Sequence, residues 1–269
     1  MGLSILDSRS KDIRRNILTM VVAGGRGHIG PAASLVELLR VLYDSWLNVC
    51  PSNPDWRERD RFILSKGHGC LALYAILADK GFIPKSELTT FCDGSSRLGG
   101  HPEIKVPGVE ASTGSLGHGL PIGVGIALAG KIRKQSYRVG VVVGDGEINE
   151  GSVWEAAMSA SKHKLSNLTV FVDYNKLQSY GPTQEVMDLE PLFDKWSSFG
   201  FETKEVDGHD VVKLERVIAD LPFQSNKPSA LICHTVKGKG FGIAEGLAEW
   251  HHKSNLSEQQ ITELYKCLE

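Results

Sequence analysis

Val141-Val142-Val143-Gly144-Asp145-Gly146-Glu147-Ile148-Asn149-Glu150-Gly151 is the stretch on which the reading of this chain turns. The β-branched run from Arg138 to Val143 predicts a short, fully buried strand. Residues from about Ser152 to His163 predict a helix. Between them, a Gly-Asp-Gly turn lets the backbone approach an anion. The helix behind it offers free N–H groups and the positive end of its dipole. Asp145 stands at that spot and would repel a phosphate unless a divalent cation lay between them.

Working outward, Leu168 to Asp173 predicts the next strand, ending at Tyr174-Asn175-Lys176-Leu177. That puts Asn175 at the carboxyl edge of a neighbouring strand, where open α/β sheets bind ligands. An Asp oxygen, an Asn oxygen, a main-chain carbonyl, water and phosphate oxygens would make the octahedron Mg²⁺ prefers. Taken singly, Asp145 could be a helix N-cap and Asn175 a strand-end turn residue; their spacing and flanking strands favour the metal.

The alternation continues through a helix at Leu189–Phe199, a strand at Phe201–Val206, a helix at Val211–Leu221 and a strand at Ala230–Val236. Upstream lie helices at Asp12–Val22 and Ser34–Leu47, a short strand at Arg61–Ser65 and a helix at Cys70–Lys80. A long irregular loop at Phe91–Gly119 follows, then a buried helix at Leu120–Arg133. Long ordered loops of this kind are usually functional. The pattern predicts an α/β fold, a parallel sheet with helices on both faces. It forms one domain over residues 1–269 with a helical lead-in to about residue 60.

Composition narrows the function classes. The 269 residues carry 30 Lys+Arg against 32 Asp+Glu, and no basic run exceeds Arg14-Arg15, so neither nucleic acid nor an anionic membrane is an expected partner. Cys50, Cys70, Cys92, Cys233 and Cys267 form no C-x-x-C pair and read as reduced thiols of a cytoplasmic protein. The N-terminus, through Leu6, carries no recognisable address. The most apolar run, Leu116–Gly130, falls short of the ~20 residues of a membrane helix.

One motif misleads. Gly25-Arg26-Gly27-His28-Ile29-Gly30 has the G-x-G-x-x-G form of a dinucleotide fingerprint, with Asp44 downstream. The segment before it reads as a helix, however, and Asp44 falls inside the next helical run, so a tight turn that exposes His28 is expected instead.

Gly144-Asp145-Gly146 followed by Asn175 resembles the thiamine-diphosphate motif, and the chain from Arg14 to Trp250 resembles the N-terminal part of transketolases. The likeness runs through Gly27-His28, Leu64-Ser65-Lys66-Gly67-His68-Gly69, Gly100-His101-Pro102-Glu103, Thr113-Gly114-Ser115-Leu116-Gly117-His118-Gly119, Trp154-Glu155-Ala156, Val206-Asp207-Gly208-His209-Asp210 and Thr235-Val236-Lys237-Gly238-Lys239-Gly240. The resemblance implies the diphosphate-binding (PP-type) fold, with Asp145, Asn175 and the Leu177 carbonyl as metal shell and the Gly146 amide on the diphosphate. The metal would be Mg²⁺, or Ca²⁺ or Mn²⁺ in its place. It implies His68 near the diphosphate, Gly114 and Leu116 against the cofactor rings, His28 and His101 on the donor sugar, and His251 at the mouth shared by cofactor and substrate. Imidazole suits this work, since it donates, accepts or shuttles protons near neutral pH. Glu150 is similar to an interfacial glutamate, and Glu155 either extends that proton network or is an exposed helix residue. Lys237 and Lys239 either meet an anionic substrate or are solvated turn residues.

The implied reaction passes a two-carbon ketol unit from a ketose to an aldose, the cofactor supplying the chemistry. In the family the glutamate that activates the cofactor sits on a following domain. The chain is therefore expected to be the N-terminal subunit of a split enzyme. A second subunit with the pyrimidine-binding and C-terminal domains would complete it, two copies of each forming a heterotetramer. A deoxyxylulose-phosphate-synthase-like or decarboxylating thiamine enzyme, a non-catalytic paralogue and a nicotinamide-binding protein are the alternatives. Departures from the family pattern at Arg26, Ile29, His118, Ser179-Tyr180 and His252 cluster at the mouth of the site, leaving the sugar open, a phosphate or another anionic ketose.

Overall fold

Val139–Gly144 (β3) is buried along its whole length, and a strand with no wet face needs a strand on each edge and cover on both sides. In the computed structural model, which describes residues 6–269, it has both. The strands preceding β3 are β1 (Arg26–Gly27) and β2 (Arg61–Leu64); those following are β4 (Leu168–Tyr174), β5 (Glu202–Asp207), β6 (Ser229–His234) and β7 (Lys253–Ser254). Five of them form one parallel sheet in the order β2-β3-β4-β6-β5, with Gly144 level with Asp173. β1 and β7 pair as a separate antiparallel ribbon, Arg26 opposite Ser254.

The helices are α1 (Ser8–Gly24), α2 (Ile29–Ala33), α3 (Val36–Val41), α4 (Cys70–Asp79), α5 (Gly119–Ile132), α6 (Gly151–Lys162), α7 (Thr183–Val186), α8 (Leu192–Ser198), α9 (Val211–Ala219) and α10 (Glu258–Lys266). Side chains alternate across the sheet. Val142, Phe171 and Leu231 pack with α1, α3 and α4 on one face. Val141, Val143, Val170, Val172 and Ile232 pack with α5, α6 and α8 on the other. Parallel strands covered on both faces are what the sequence pattern predicts.

Boundaries differ in a few places. α1 starts at Ser8, earlier than expected, because the Asp7 side chain accepts the Ser10 N–H as an N-cap, and it ends at Gly25, whose φ is 64°. The single helix expected over Ser34–Leu47 is broken into α2, α3 and a π turn at Leu42–Trp46. The π turn, closed by Leu47 N–H on the Leu42 carbonyl, carries Leu42, Tyr43 and Trp46 into the core together. Residues 91–118 contain no regular element, as expected. The β1–β7 ribbon and α10, opened by a Ser257/Gln260 capping box, were not expected. The first five residues of the lead-in lie outside the described residues. All five cysteines are free, and no described helix is long and apolar enough to cross a membrane.

Candidate functional site

The carboxyl ends of β3 and β4 meet the Gly-rich turns at a cleft of about 230 Å³. His28, His68, Gly114, Leu116, Asp145, Gly146, Asn175, Leu177 and His251 all line it. Asp145 does not cap a helix. One carboxylate oxygen accepts the Gly146 N–H at 2.7 Å and the other the Lys176 N–H at 2.6 Å, which ties the end of β3 to the turn after β4. The Asn175 side-chain oxygen accepts the Leu177 N–H at 3.1 Å. Burial, reinforced by the Asp173 carboxylate, pushes Asp145 up to about 6, the mark of a buried carboxylate short of positive charge.

Two lysines complete the cleft. Lys66, fully buried, donates to the Pro31 carbonyl at 3.1 Å and to Asp173. Burial alone would raise the Asp173 carboxyl, but Lys66 with the Thr235 and Ser34 hydroxyls holds it below the usual carboxylate range. Lys237 donates to the Leu177 carbonyl and stands 3.0 Å from His251 Nδ1. Burial and then Lys66 bring it down to about 8. The solvated-turn alternative for Lys237 and Lys239 therefore falls: both are buried. Only Lys237 reaches the cleft, while Lys239 offers its carbonyl to Arg14 Nε at 2.7 Å. Lys66 stands in the sequence motif without an expected role. The available signal was a lysine between a buried strand end and a Gly-flanked turn, where an unpaired ammonium is costly.

Glu147, also without an expected role, is buried and raised by that burial. It accepts from Ser65, Gly117 N–H and Gly144 N–H, fastening the long loop to the end of β3. Gly67 lies so close to this loop that a Cβ there would be 2.8 Å from Gly114 N.

The histidines gather around His28. Its ring centre lies 5.6 Å from His68, 5.5 Å from His251, 6.3 Å from His101 and 4.6 Å from His252. Burial, then the neighbouring positive groups, brings His28 down to about 4 and His251 to about 3, and holds His68 well below its ordinary value. At neutral pH these rings are uncharged, each with one donor and one acceptor. His101 lies outside the cleft, on an adjoining chamber that shares His28. Glu150 and Glu155 are exposed. Glu150 is the N-cap residue of α6 but makes no side-chain cap bond.

The G-x-G-x-x-G turn is no dinucleotide site. Gly25 closes α1, β1 follows, and His28 opens α2. Asp44 is taken by Arg9 at 2.5 and 2.8 Å and by Lys80 at 3.1 Å.

Several observations test whether a diphosphate and a divalent cation fit. Gln178 Nε2 is buried without a hydrogen-bond partner. A Cβ on Gly146 would lie 3.2 Å from that side chain's amide carbon, so only glycine leaves room beside the spare donor. The Asp145, Asn175 and Leu177 oxygens are hard ligands of the kind Mg²⁺ and Ca²⁺ take. Among the described residues no three His, Cys, Asp or Glu side chains converge to hold a metal unaided, which suits a cation shared with a ligand's phosphates. The residues fit the group.

A family model described as transketolase, thiamine diphosphate binding domain, matches residues 7–268. The chain is 42% identical over 259 residues to one of the separately encoded subunits of the apulose-4-phosphate transketolase of Phocaeicola vulgatus, covering 96% of this chain and 92% of that one. It is 40% identical over 248 residues to the 6-deoxy-6-sulfo-D-fructose transketolase subunit SqwG of a Clostridium species, covering 92% and 90%. Among solved structures, the transketolase of Campylobacter jejuni superposes with a TM-score of 0.90 at 30% identity, covering all of this chain and 43% of that one. A Pichia stipitis transketolase complexed with sedoheptulose 7-phosphate gives 0.88 at 32% identity, covering 95% and 39%. The chain thus spans about two fifths of the solved transketolases it matches.

Proposed function

The chain belongs to the transketolase family, as its thiamine-diphosphate-binding domain, and from that premise we propose that it is the N-terminal, cofactor-anchoring subunit of a split transketolase. With a second subunit that carries the pyrimidine-binding and C-terminal domains, it transfers a two-carbon ketol unit from an anionic ketose to an aldose. The relatives named as transketolase subunits, matched over nearly their full length, support the split arrangement. A heterotetramer and a cytoplasmic location complete the reading.

The observation that carries it is the convergence of Asp145, Asn175, the Leu177 carbonyl, Lys66 and Lys237 on one cleft. Asp145, Asn175 and Leu177 would hold Mg²⁺. The Gly146 amide, the Gln178 amide and Lys237 would bind the diphosphate, with His68 beside it and Gly114 and Leu116 against the rings. When bound, the cofactor supplies the nucleophile and the electron sink of the transfer. This chain's own residues bind and orient. Uncharged His28 and His251 can hold or move a proton at the sugar's hydroxyl and carbonyl oxygens without first losing one, and His101 meets the same sugar from the adjoining chamber. Glu150, exposed ahead of α6, stands available to the second subunit.

Calorimetry with thiamine diphosphate and Mg²⁺ tests the anchoring role. Uptake by the wild type with a loss on the order of 100-fold, ~2.7 kcal/mol, in Asp145→Ala is expected. Absence of uptake, or NAD binding in its place, sinks it. Turnover of pyruvate instead of ketose phosphates by the two-subunit enzyme would shift the reaction to a decarboxylating class.

A further inference from the structure

Beyond His28, on the side away from Asp145, lies a second chamber of about 280 Å³, close to the lower end of small-molecule pockets at roughly 300 Å³. Arg26, His28, His101 and His252 line it with Cys70 and Cys92, and no carboxylate does. His28 belongs to both cavities, so a sugar whose reacting end sits at His28 has this chamber open to the rest of its length.

The chamber's charge is one-sided. Arg26 has no ion-pair or hydrogen-bonding carboxylate among the described residues, although other arginines of the lead-in do. His252 packs edge-on against His28 at 4.6 Å. An unpaired guanidinium with imidazole donors around it is a setting for a tetrahedral oxyanion. The positive groups that hold His28 uncharged, His252 and His101 among them, would be relieved by such a guest.

The cation is also held in place. Arg26 lies on β1, paired with β7 opposite Ser254, and the Asn255 N–H donates to the Gly25 carbonyl at 2.8 Å. Behind it, a Cβ on Gly27 would lie 2.9 Å from Leu71 Cδ1. The segments bearing Arg26 and His252 are therefore cross-linked by backbone hydrogen bonds. A pre-positioned cation gains more from its ligand than a mobile one.

We propose that this chamber binds the tetrahedral oxyanion of the sugar substrate, phosphate or sulfonate, and that Arg26 with His252 determines the specificity for it. The inference rests on the transketolase reading and names the feature of the sugar that reading leaves open. Arg26 and His252 are two of the positions where this sequence departs from the family pattern, so the preference belongs to this chain rather than to the family.

The test is made on the full chain loaded with thiamine diphosphate and Mg²⁺, with methyl phosphate and methanesulfonate as probes. The Cε1–H signals of His28, His101 and His252 are followed by NMR. At least one probe is expected to shift the His252 and His101 signals saturably, and the tighter one identifies the anion. Arg26→Ser should weaken that binding at least fivefold, on the order of the ~1 kcal/mol of one charge-assisted contact. Arg26→Lys should recover part of it, and His252→Gly should lose two- to threefold. Cofactor uptake by calorimetry should be unchanged in all three variants. Saturation by neither probe, or equal affinity in wild type and Arg26→Ser, overturns the proposal. Failure of the wild type to take up cofactor overturns the transketolase reading instead, and the dependence of the His252 shift on Arg26 still decides the chamber.

Discussion

At the scale of residues, the site depends on donors and acceptors that the fold leaves with spare capacity. Gln178 is the plainest case, a buried amide nitrogen with no partner beside Gly146. Gln178→Ala should weaken cofactor binding about tenfold, the ~1.5 kcal/mol of one hydrogen bond to a charged acceptor, measured by calorimetry with Mg²⁺ held constant. Unchanged affinity would remove Gln178 from the diphosphate site. His28 offers a second check. Its depressed value, about 4, means that its Cε1–H signal should stay at the uncharged position from neutral pH down past 5. It should move only near pH 4, whereas an exposed histidine titrates near 6.5. A midpoint near 6.5 would show that the ring is not enclosed as described. Asp145, Asn175, His28, His68 and His251 were legible in the sequence because each stands in a turn whose glycines have no other explanation. Lys66, Glu147 and Gln178 were not. Their importance lies in who faces them across the cleft, and that is set by strands far apart in sequence.

At the scale of elements, the Lys237 loop is held from behind by a buried ionic network. Arg14 on α1 forms a two-pronged pair with Glu37 on α3, at 2.6 and 3.0 Å, and also bonds the Lys239 carbonyl. His209 Nε2 accepts the Val236 N–H at 2.8 Å, so its proton sits on Nδ1 and is donated to Glu37 at 2.9 Å. Burial would raise Glu37, but Arg14 and His209 hold it down to about 2. Removing one member strands the other in a dry interior, at a cost of ~3–5 kcal/mol. Arg14→Met should lower the urea midpoint accordingly and weaken cofactor binding through the loop. A variant of wild-type stability would show that the network bears no load. Strand order and helix type were readable from periodicity. The break of the second helix into α2, α3 and a π turn was not, because a π turn keeps the same apolar residues and changes only their angular spacing. The β1–β7 ribbon was hidden for another reason: two-residue strands leave no pattern to read.

At the scale of the whole molecule, the chain builds a cofactor cleft on its sheet edge and leaves Glu150 exposed nearby. On the proposed reading the purified chain binds thiamine diphosphate yet transfers no ketol unit until the second subunit is added. A coupled ketol-transfer assay with the two subunits separately and together checks this, and appreciable activity of the chain by itself would contradict it. The anchoring half of the chemistry was legible because it resides in one strand-turn-helix unit. The choice of sugar was not, since it depends on a chamber assembled from both ends of the chain.

The β1–β7 ribbon also bears on how the molecule is made. The cofactor cleft is fastened mainly by neighbours in the sheet, whereas the ribbon joins residue 26 to residue 254. Closing so long a stretch costs entropy that no local contact offsets. During folding, therefore, the oxyanion chamber should be the last part of the site to take shape. A chain emerging from the ribosome would acquire its grip on the cofactor before it acquired its choice of sugar.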